Sequence, residues 1–526
     1  MVFDVIVVGA GASGLTAAAY LAKYGRSVLL CEKEPVCGGL VNSFTRDGFT
    51  FDGGARALED AGVLFTMLRQ LGLQIEFVKN HISLGIEDQM LDMESKTSID
   101  DYADMLKKLY PESAADIEVI AKDLRQITQA MDIQYGIDNP LFLDPKQDGK
   151  YFITHVFPWM FKYALNVGKV QSKDQPVIPY LRKFTSNQAL LDIISQHFFA
   201  DTPAYFALSY FKIFQEYYYP KGGTGVFVEK LVEFIKKQGG TIRTSTEIAS
   251  IDPIGKTVTT ADGEQIAYRQ LLWTADQKRL YNSVALDEQT HPELTAALTK
   301  RKAYLADKTG SDSIFSLFVT TDLEPDYFKS IASEHVFYTP SRAGQSQAGP
   351  MPLEGTKAEI QAWLEKYLAL TTYEIAIPAL RDPDLAPPGK TGLIISVLCD
   401  YTLTKRIADQ GWYDEFKQFV ARVMVETLDR TLYPGLAGAL MLSFSSTPLS
   451  IQKVAGTTDG AITGWSFRNQ SIPAESRLTR IANTANTILP DIYQAGQWAY
   501  SPAGLPVSLI TGKVAADKIQ KRLGRG

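Results

Sequence analysis

FDVIVVGAGASGLTAAAYLAKYGRSVLLCE, residues 3–32, decides the fold of this chain. Residues 3–8 are a β-branched apolar run suited to a strand buried on both faces of a parallel sheet. Gly9, Gly11 and Gly14 follow in G-x-G-x-x-G spacing. The first permits a tight turn, the second lets a pyrophosphate approach the backbone, and the third lets the next helix lie against the strand. Residues 15–24, rich in alanine, continue as that helix, and residues 27–31 form the second strand. Glu32 stands at its carboxyl end, eighteen positions after Gly14, close to the ~20 of a dinucleotide fingerprint. Its carboxylate can accept hydrogen bonds from both ribose hydroxyls and would repel a 2′-phosphate. The helix start offers free N–H groups and partial positive charge to a phosphate. A βαβ nucleotide site is the reading, in preference to a glycine-rich turn of purely structural use.

Outward from this unit, the 526 residues are too many for one ordinary core, and at 45% hydrophobic they are too apolar to be disordered. The 53 Lys and Arg against 59 Asp and Glu leave a net charge of −6, which gives no electrostatic footprint for nucleic acid. Three cysteines, Cys31, Cys37 and Cys399, cannot build a disulfide framework, so a reducing, cytoplasmic setting is expected. The N-terminal apolar run is broken by glycines and preceded by Asp4, unlike a signal peptide. Residues 151–165 are too short to span a bilayer, although attachment to a membrane surface stays open. Helical segments with many aromatics are expected over 97–216, and a short helix over 232–238. Strands are expected over 241–251, 257–267, 271–275, 313–319, 393–398 and 492–495, with Ala261-Asp-Gly-Glu264 as a hairpin turn between Val258 and Ile266. Helices are expected over 412–428 and 505–522. Sheet-forming parts at 1–75, 217–290 and 480–526 are separated by 76–216 and 291–479. This predicts an α/β fold: a discontinuous Rossmann-like nucleotide domain carrying an α+β substrate domain.

Further motifs narrow the nucleotide. Gly38-Gly39-Leu40 follows the second strand, then Phe49-Thr-Phe-Asp52-Gly-Gly54; near the end stand Ala495-Gly496-Gln497-Trp498 and Gly504-Leu505-Pro506. With these the sequence resembles the FAD-containing phytoene desaturase superfamily, which includes carotenoid isomerases and retinol saturases. The resemblance covers 3–58, 217–276 and 491–518, with traces at 382–389 and 460–465. It implies FAD as cofactor, with Gly9, Gly11, Gly14 and Glu32 holding the ADP half. Gly38, Gly39 and Leu40 would lie at the phosphates and ribityl chain, and the Ile248 main chain at adenine. Gly496 and Gln497 would grip the ribityl or phosphate, and Leu505, Pro506 and Val507 would open a helix aimed at the flavin pyrimidine ring, where reduced flavin is negative. The family usually has Asp where this chain has Gln497.

The resemblance also implies redox chemistry at a carbon–carbon bond, desaturation or saturation, of an apolar carotenoid- or polyene-like substrate, with hydride passing between carbon and flavin N5. The alternatives are an isomerase of a polyene or unsaturated fatty acid using reduced FAD, and a flavin amine oxidase. Two catalytic candidates are Arg56 and Tyr218, the latter for a proton. Arg56 follows Asp52-Gly-Gly-Ala55 and offers a guanidinium to a substrate carboxylate or the flavin N1 side; a salt bridge to Glu59 or Asp60 is the competing structural use. If it holds a carboxylate, the substrate is an acid. The aromatics of 197–219 are either a helical core or walls of a substrate tunnel, and those of 151–163 pose the same choice with lipid contact added. Cys31 and Cys37 have C-x5-C spacing with Cys31 in a strand, which favours packing over a redox pair. The five histidines lack metal-ligand spacing, so no metal is expected.

Overall fold

The computed structural model describes residues 2–95, 97–171 and 173–524. Strand β1 (Val2–Val8) lies between β2 (Val28–Cys31) and Gln265–Trp273, parallel to both, with Val5 opposite Val28 on one side and Gln270 on the other. Its side chains alternate between two cores, which is why the run is apolar throughout. Val5 and Val7 face helix α1 (Ala12–Lys23) and the C-terminal helix Leu505–Leu523. Ile6 and Val8 face a second cluster with Tyr268, Leu271 and Leu280. The seven-stranded sheet runs Thr241–Arg243, β2, β1, Gln265–Trp273, Thr257–Thr260, Ile248–Asp252, with Ile492–Gln494 also paired in parallel to Gln265–Trp273. At Gly512 the C-terminal helix touches α1 backbone to backbone: a Cβ there would stand 2.5 Å from the Ser13 carbonyl.

The strand expected over 241–251 is two strands at opposite edges of this sheet. The chain turns at Ser245, in the left-handed region at φ 50°, while Ser245 and Thr246 donate their N–H groups to the Glu34 and Glu32 carbonyls. The hairpin expected over 257–267 forms, and its second strand continues into the stretch expected at 271–275. Thr257–Thr260 and Gln265–Trp273 pair across the Ala261-Asp-Gly-Glu264 turn, and the second strand runs on to Trp273. The helix expected from 232 starts earlier, spanning Gly225–Lys237.

A second seven-stranded sheet has the order Leu440–Ser446, Ser313–Thr321, Thr391–Cys399, Tyr373–Ala376, His335–Thr339, Ile82–Ile86, Gln89–Asp92. Only the contact between His335–Thr339 and Ile82–Ile86 is parallel. One face is covered by helices Lys357–Leu370 and Tyr413–Thr431, which meet Phe315, Leu317, Ile375 and Ile395. Period-two alternation turns Ser316, Glu374 and Ser396 to the other face. Helices Ser98–Leu109, Ala114–Tyr135, Gln188–Ser195 and Ala204–Ile213 form a third core around Tyr102, Leu124 and Phe211 and close over that face.

Candidate active site

One cavity of about 850 Å³ runs from the glycine turn after β1 to the inner face of the second sheet. That is large for a small-molecule site. Gly9, Gly11, Glu32, Gly38, Gly39, Leu40, Arg56, Ile248, Gly496, Gln497 and Leu505 all line it. Gly14, Pro506, Val507 and Tyr218 do not.

The nucleotide end is a cradle of close backbone approaches. A Cβ on Gly14 would stand 1.9 Å from the Gly9 carbonyl, so the α1 start and the turn meet without room for a side chain. Gly14 therefore acts beneath the turn and never reaches the ligand. Gly11, by contrast, has nothing within 4 Å of a built Cβ; the space in front of it is open. Gly38, at φ 126°, donates its N–H to the Ala10 carbonyl (2.8 Å) and forms an isolated bridge with Gly11, stitching two glycine turns together. Glu32 Oε2 accepts from Ala10 N–H (2.7 Å) and Oε1 from Glu34 N–H (3.0 Å), so the carboxylate also braces the loop. The buried Ser13 hydroxyl, in the first turn of α1 and beside Gly496, has no partner among the described residues. An orphaned donor at a helix N-terminus suits a phosphate oxygen. Pro506, lacking an N–H, occupies the first turn of the C-terminal helix and Val507 lies behind it, while Leu505 and Ser508 reach the cavity. These features fit FAD.

At the other end the second sheet contributes a cross-strand row. Ser446 lies opposite Ser316, Ser316 opposite Ser396, Ser396 opposite Glu374, and Glu374 opposite Phe337; all five line the cavity. The Ser316 and Ser396 hydroxyls bond each other at 2.9 Å. Glu374 Oε1 bonds His335 Nε2 at 3.0 Å, and Asn80 Nδ2 donates to His335 Nδ1 at 3.4 Å, which puts the imidazole proton on Nε2. Burial, with Arg381 and Arg56 nearby, lowers the His335 pKa despite Glu374. Burial alone would raise Glu374, but the His335 bond and the charges of His335, Arg56 and Arg381 bring it below the usual carboxylate range.

Arg56 reaches this row from the first part of the chain. Asp52 anchors its segment: Oδ1 accepts from Ser43, Thr224 Oγ1 and Thr224 N–H, and Oδ2 from Tyr219. Ala55 N–H bonds the Leu40 carbonyl at 2.8 Å. The guanidinium donates Nη1 to the Asp52 carbonyl and Nη2 to Ser316 (3.1 Å) and Ser396 (3.0 Å). The salt bridge to Glu59 or Asp60 does not form. Glu59 accepts from Tyr217 at 2.9 Å, and Asp60 caps the Phe65 and Gly62 N–H groups.

Tyr218 is displaced by strand alternation in Tyr217–Pro220. Its ring lies against Phe65 and under Lys79, while Tyr217 lines the cavity in its place. The aromatic stretch divides in the same way. His197, Phe198, Phe199, Phe206 and Tyr210 line the cavity, whereas Phe211 and Phe214 belong to the helical core. Cys31 is buried in β2 and burial pushes its thiol up to about 12; Cys37 is pushed up to about 11. Among the described residues no group of three or more His, Cys, Asp or Glu is arranged to hold a metal. Sequence reasoning missed Ser13, Glu374, His335, Ser316 and Ser396. Ser13 sits visibly inside the glycine motif, while the others carry no local signal.

Compared with known proteins, residues 12–403 match the family model described as flavin containing amine oxidoreductase. The chain belongs to that family. It is an FAD-dependent oxidoreductase. Over 99% of both chains it is 24% identical to a 4,4'-diapophytoene desaturase (4,4'-diaponeurosporene-forming) of Staphylococcus aureus. Solved structures share its fold: an oxidoreductase from Methanosarcina mazei (16% identity, TM-score 0.59, 98% of this chain and 99% of the other) and a putrescine oxidase variant (13%, TM-score 0.61, 99% of each). A reduced UDP-galactopyranose mutase is similar too (13%, TM-score 0.58, 100% and 96%). In this flavoenzyme Trp465 donates Nε1 to the Trp498 carbonyl (3.0 Å), and a Cβ on Gly464 would stand 2.2 Å from the Gln497 carbonyl. The segment after the second sheet is thereby clamped onto the Gly496-Gln497 loop.

Proposed function

We propose that this flavoenzyme introduces a carbon–carbon double bond into a long, mainly apolar polyene of carotenoid type. The observation that carries the reading is the continuity of the cavity: the glycine cradle opens directly into a chamber walled by Phe198, Phe199, Phe206 and Phe337. The full-length relation to proteins named diapophytoene desaturase supports it. When bound, FAD supplies a two-electron hydride acceptor. The chain's own share is to exclude water with its aromatic walls, to hold the substrate in one orientation, and to receive a proton. Glu374 suits the role of proton acceptor, because it is held ionised, its Oε1 is bonded to His335, and its Oε2 has no protein donor among the described residues. Anaerobic mixing of the holoprotein with a polyene, with flavin bleaching and product absorbance followed together, tests the reading. Bleaching with a red-shifted product supports desaturation. Turnover by pre-reduced enzyme with no change in flavin would replace it with isomerisation, and hydrogen peroxide release with amines would replace it with amine oxidation.

The nucleotide-binding part is assigned to residues 1–75, 217–290 and 480–526, and the substrate part to 76–216 and 291–479, as a working division. We further propose that the enzyme draws its substrate from a lipid surface. Among the described residues no helix is long and apolar enough to cross a membrane. Helix Phe157–Gln171 and the turn before it nevertheless expose Ile153, Phe157, Met160, Phe161 and Leu165, while Trp159 and Tyr163 stack on each other and Trp159 donates to the Ile133 carbonyl. Residues 149–171 contain no acidic side chain, and Lys150 and Lys162 are exposed. An apolar stripe with basic flanks suits an anionic lipid interface.

A further inference from the structure

The polar end of the cavity is at odds with a pure hydrocarbon. We infer that the substrate carries a terminal carboxylate and that Arg56 holds it, an inference that rests on the polyene reading above and names the substrate's head group. Arg56 is 4% exposed and lines the cavity. Three of its N–H groups go to neutral oxygens, on Asp52, Ser316 and Ser396. A guanidinium has five, so two remain without an acceptor among the described residues. Among the same residues no carboxylate oxygen lies within 4.0 Å of it; Glu374, one strand along the row, bonds His335 through Oε1, and Glu59 bonds Tyr217. The two serines take both Nη2 hydrogens and fix the guanidinium over the middle of the row, leaving Nε–H and one Nη1–H free. Once cofactor and a hydrocarbon chain displaced the water there, those two N–H groups would be unmet donors on a buried charge, which is strongly unfavourable. A carboxylate accepts from one of these donors and adds a direct ion pair to the more distant charges of Glu374 and Asp52. The apolar body of the acid would then lie along Phe198 and Phe206, toward the cradle.

The test uses the holoprotein, titrated with all-trans-retinoic acid and with its methyl ester while tryptophan fluorescence is followed; Trp273 and Trp498 line the cavity. The acid is expected to bind at least tenfold more tightly than the ester. Arg56→Gln should bring the two within about threefold by weakening only the acid, with flavin content unchanged, and Arg56→Lys should keep part of the preference. Ser316→Ala with Ser396→Ala, which leaves the charge but loosens it, should give an intermediate loss. That variant decides the matter should Arg56→Gln not fold. Equal affinity of acid and ester in the wild type overturns the head-group assignment and leaves the polyene reading standing. So does an acid preference that survives loss of Arg56. If neither compound binds a flavin-replete protein, the polyene reading itself falls.

Discussion

Removing two apolar side chains from the exposed helix should detach the enzyme from membranes without harming its fold. Phe161 and Leu165 are 75% and 77% exposed, beside Ile153 at 68%, Phe157 at 54% and Met160 at 52%. Fully burying a Phe or Leu side chain is favourable by about 2 kcal/mol. Three quarters of that is still available to each residue, giving about 3 kcal/mol for the pair on insertion. At 1.4 kcal/mol per tenfold, Phe161→Ser with Leu165→Ser should lower vesicle partitioning by more than about a hundredfold. Substitutions on an exposed face change folding stability by about 0.5 kcal/mol or less, so the thermal midpoint and flavin content should hold. Flotation with phosphatidylglycerol-containing vesicles reads the effect. Charge reversal at Lys150 and Lys162 should weaken binding by about 1 kcal/mol each and make it less sensitive to salt. If the doubly substituted protein floats as well as the wild type, the stripe is not the contact. If the wild type ignores anionic vesicles altogether, the lipid-surface proposal is wrong.

Four other outcomes follow from the geometry. Gly14→Ala forces a methyl into the Gly9 carbonyl and should cost about 3 kcal/mol, yielding protein that unfolds earlier in urea and is purified without flavin. With their thiols raised to about 12 and about 11, Cys31 and Cys37 should resist iodoacetamide at pH 8 and react about tenfold faster per pH unit only as the pH climbs toward those values. His197 is pushed down to about 4 by burial, from an ordinary 6.5, and both its ring nitrogens are unpartnered among the described residues. The unfolded chain therefore binds more protons between these values, and stability should fall as pH drops from 6.5 toward 4, by about 3 kcal/mol; urea midpoints at pH 5 and 7 should converge in His197→Phe. Gln497→Asp adds negative charge at the cofactor and should lower the flavin midpoint potential, as followed by dye-linked anaerobic reduction.

The nucleotide end is legible in the sequence because its chemistry is local. Three glycines, one acid and two short apolar runs fall within residues 3–32, and each has a separate steric reason. Edges are less legible. The 241–251 stretch reads as one strand because its side chains suit either sheet edge, and only the left-handed turn at Ser245, which has no glycine to announce it, divides the two. The catalytic end is nearly invisible. Ser316, Ser396 and Glu374 are ordinary residues in three strands, brought into one row by antiparallel register. Arg56 is conspicuous beside the double glycine, but proximity along the chain suggests the wrong partners for it. Glu59 and Asp60 are its neighbours in sequence, whereas hydroxyls 260 and 340 positions away are its neighbours in space. Tyr218 fails for a one-residue reason, since alternation in a strand assigns the cavity to Tyr217.

The two ends of the cavity differ in how much change they can absorb. The close backbone approaches at Gly14, Gly38, Gly54 and Gly464 would each be obstructed by a single added methyl, so the nucleotide end tolerates little variation there. The row Ser446, Ser316, Ser396, Glu374 and Phe337 sits on strands whose opposite face is locked by helices. Side chains in the row can therefore be exchanged without moving the strands that carry them. On the proposed head-group reading, selection would reside in the inner face of the second sheet and in Arg56, which comes from the nucleotide side and bonds across to two of those strands. Because Arg56 follows a loop that closes on Leu40 and Asn42, a ligand seated on Arg56 would be positioned relative to the flavin cradle by a short stretch of chain. That short path would set which carbon of a long chain is brought to the reacting ring.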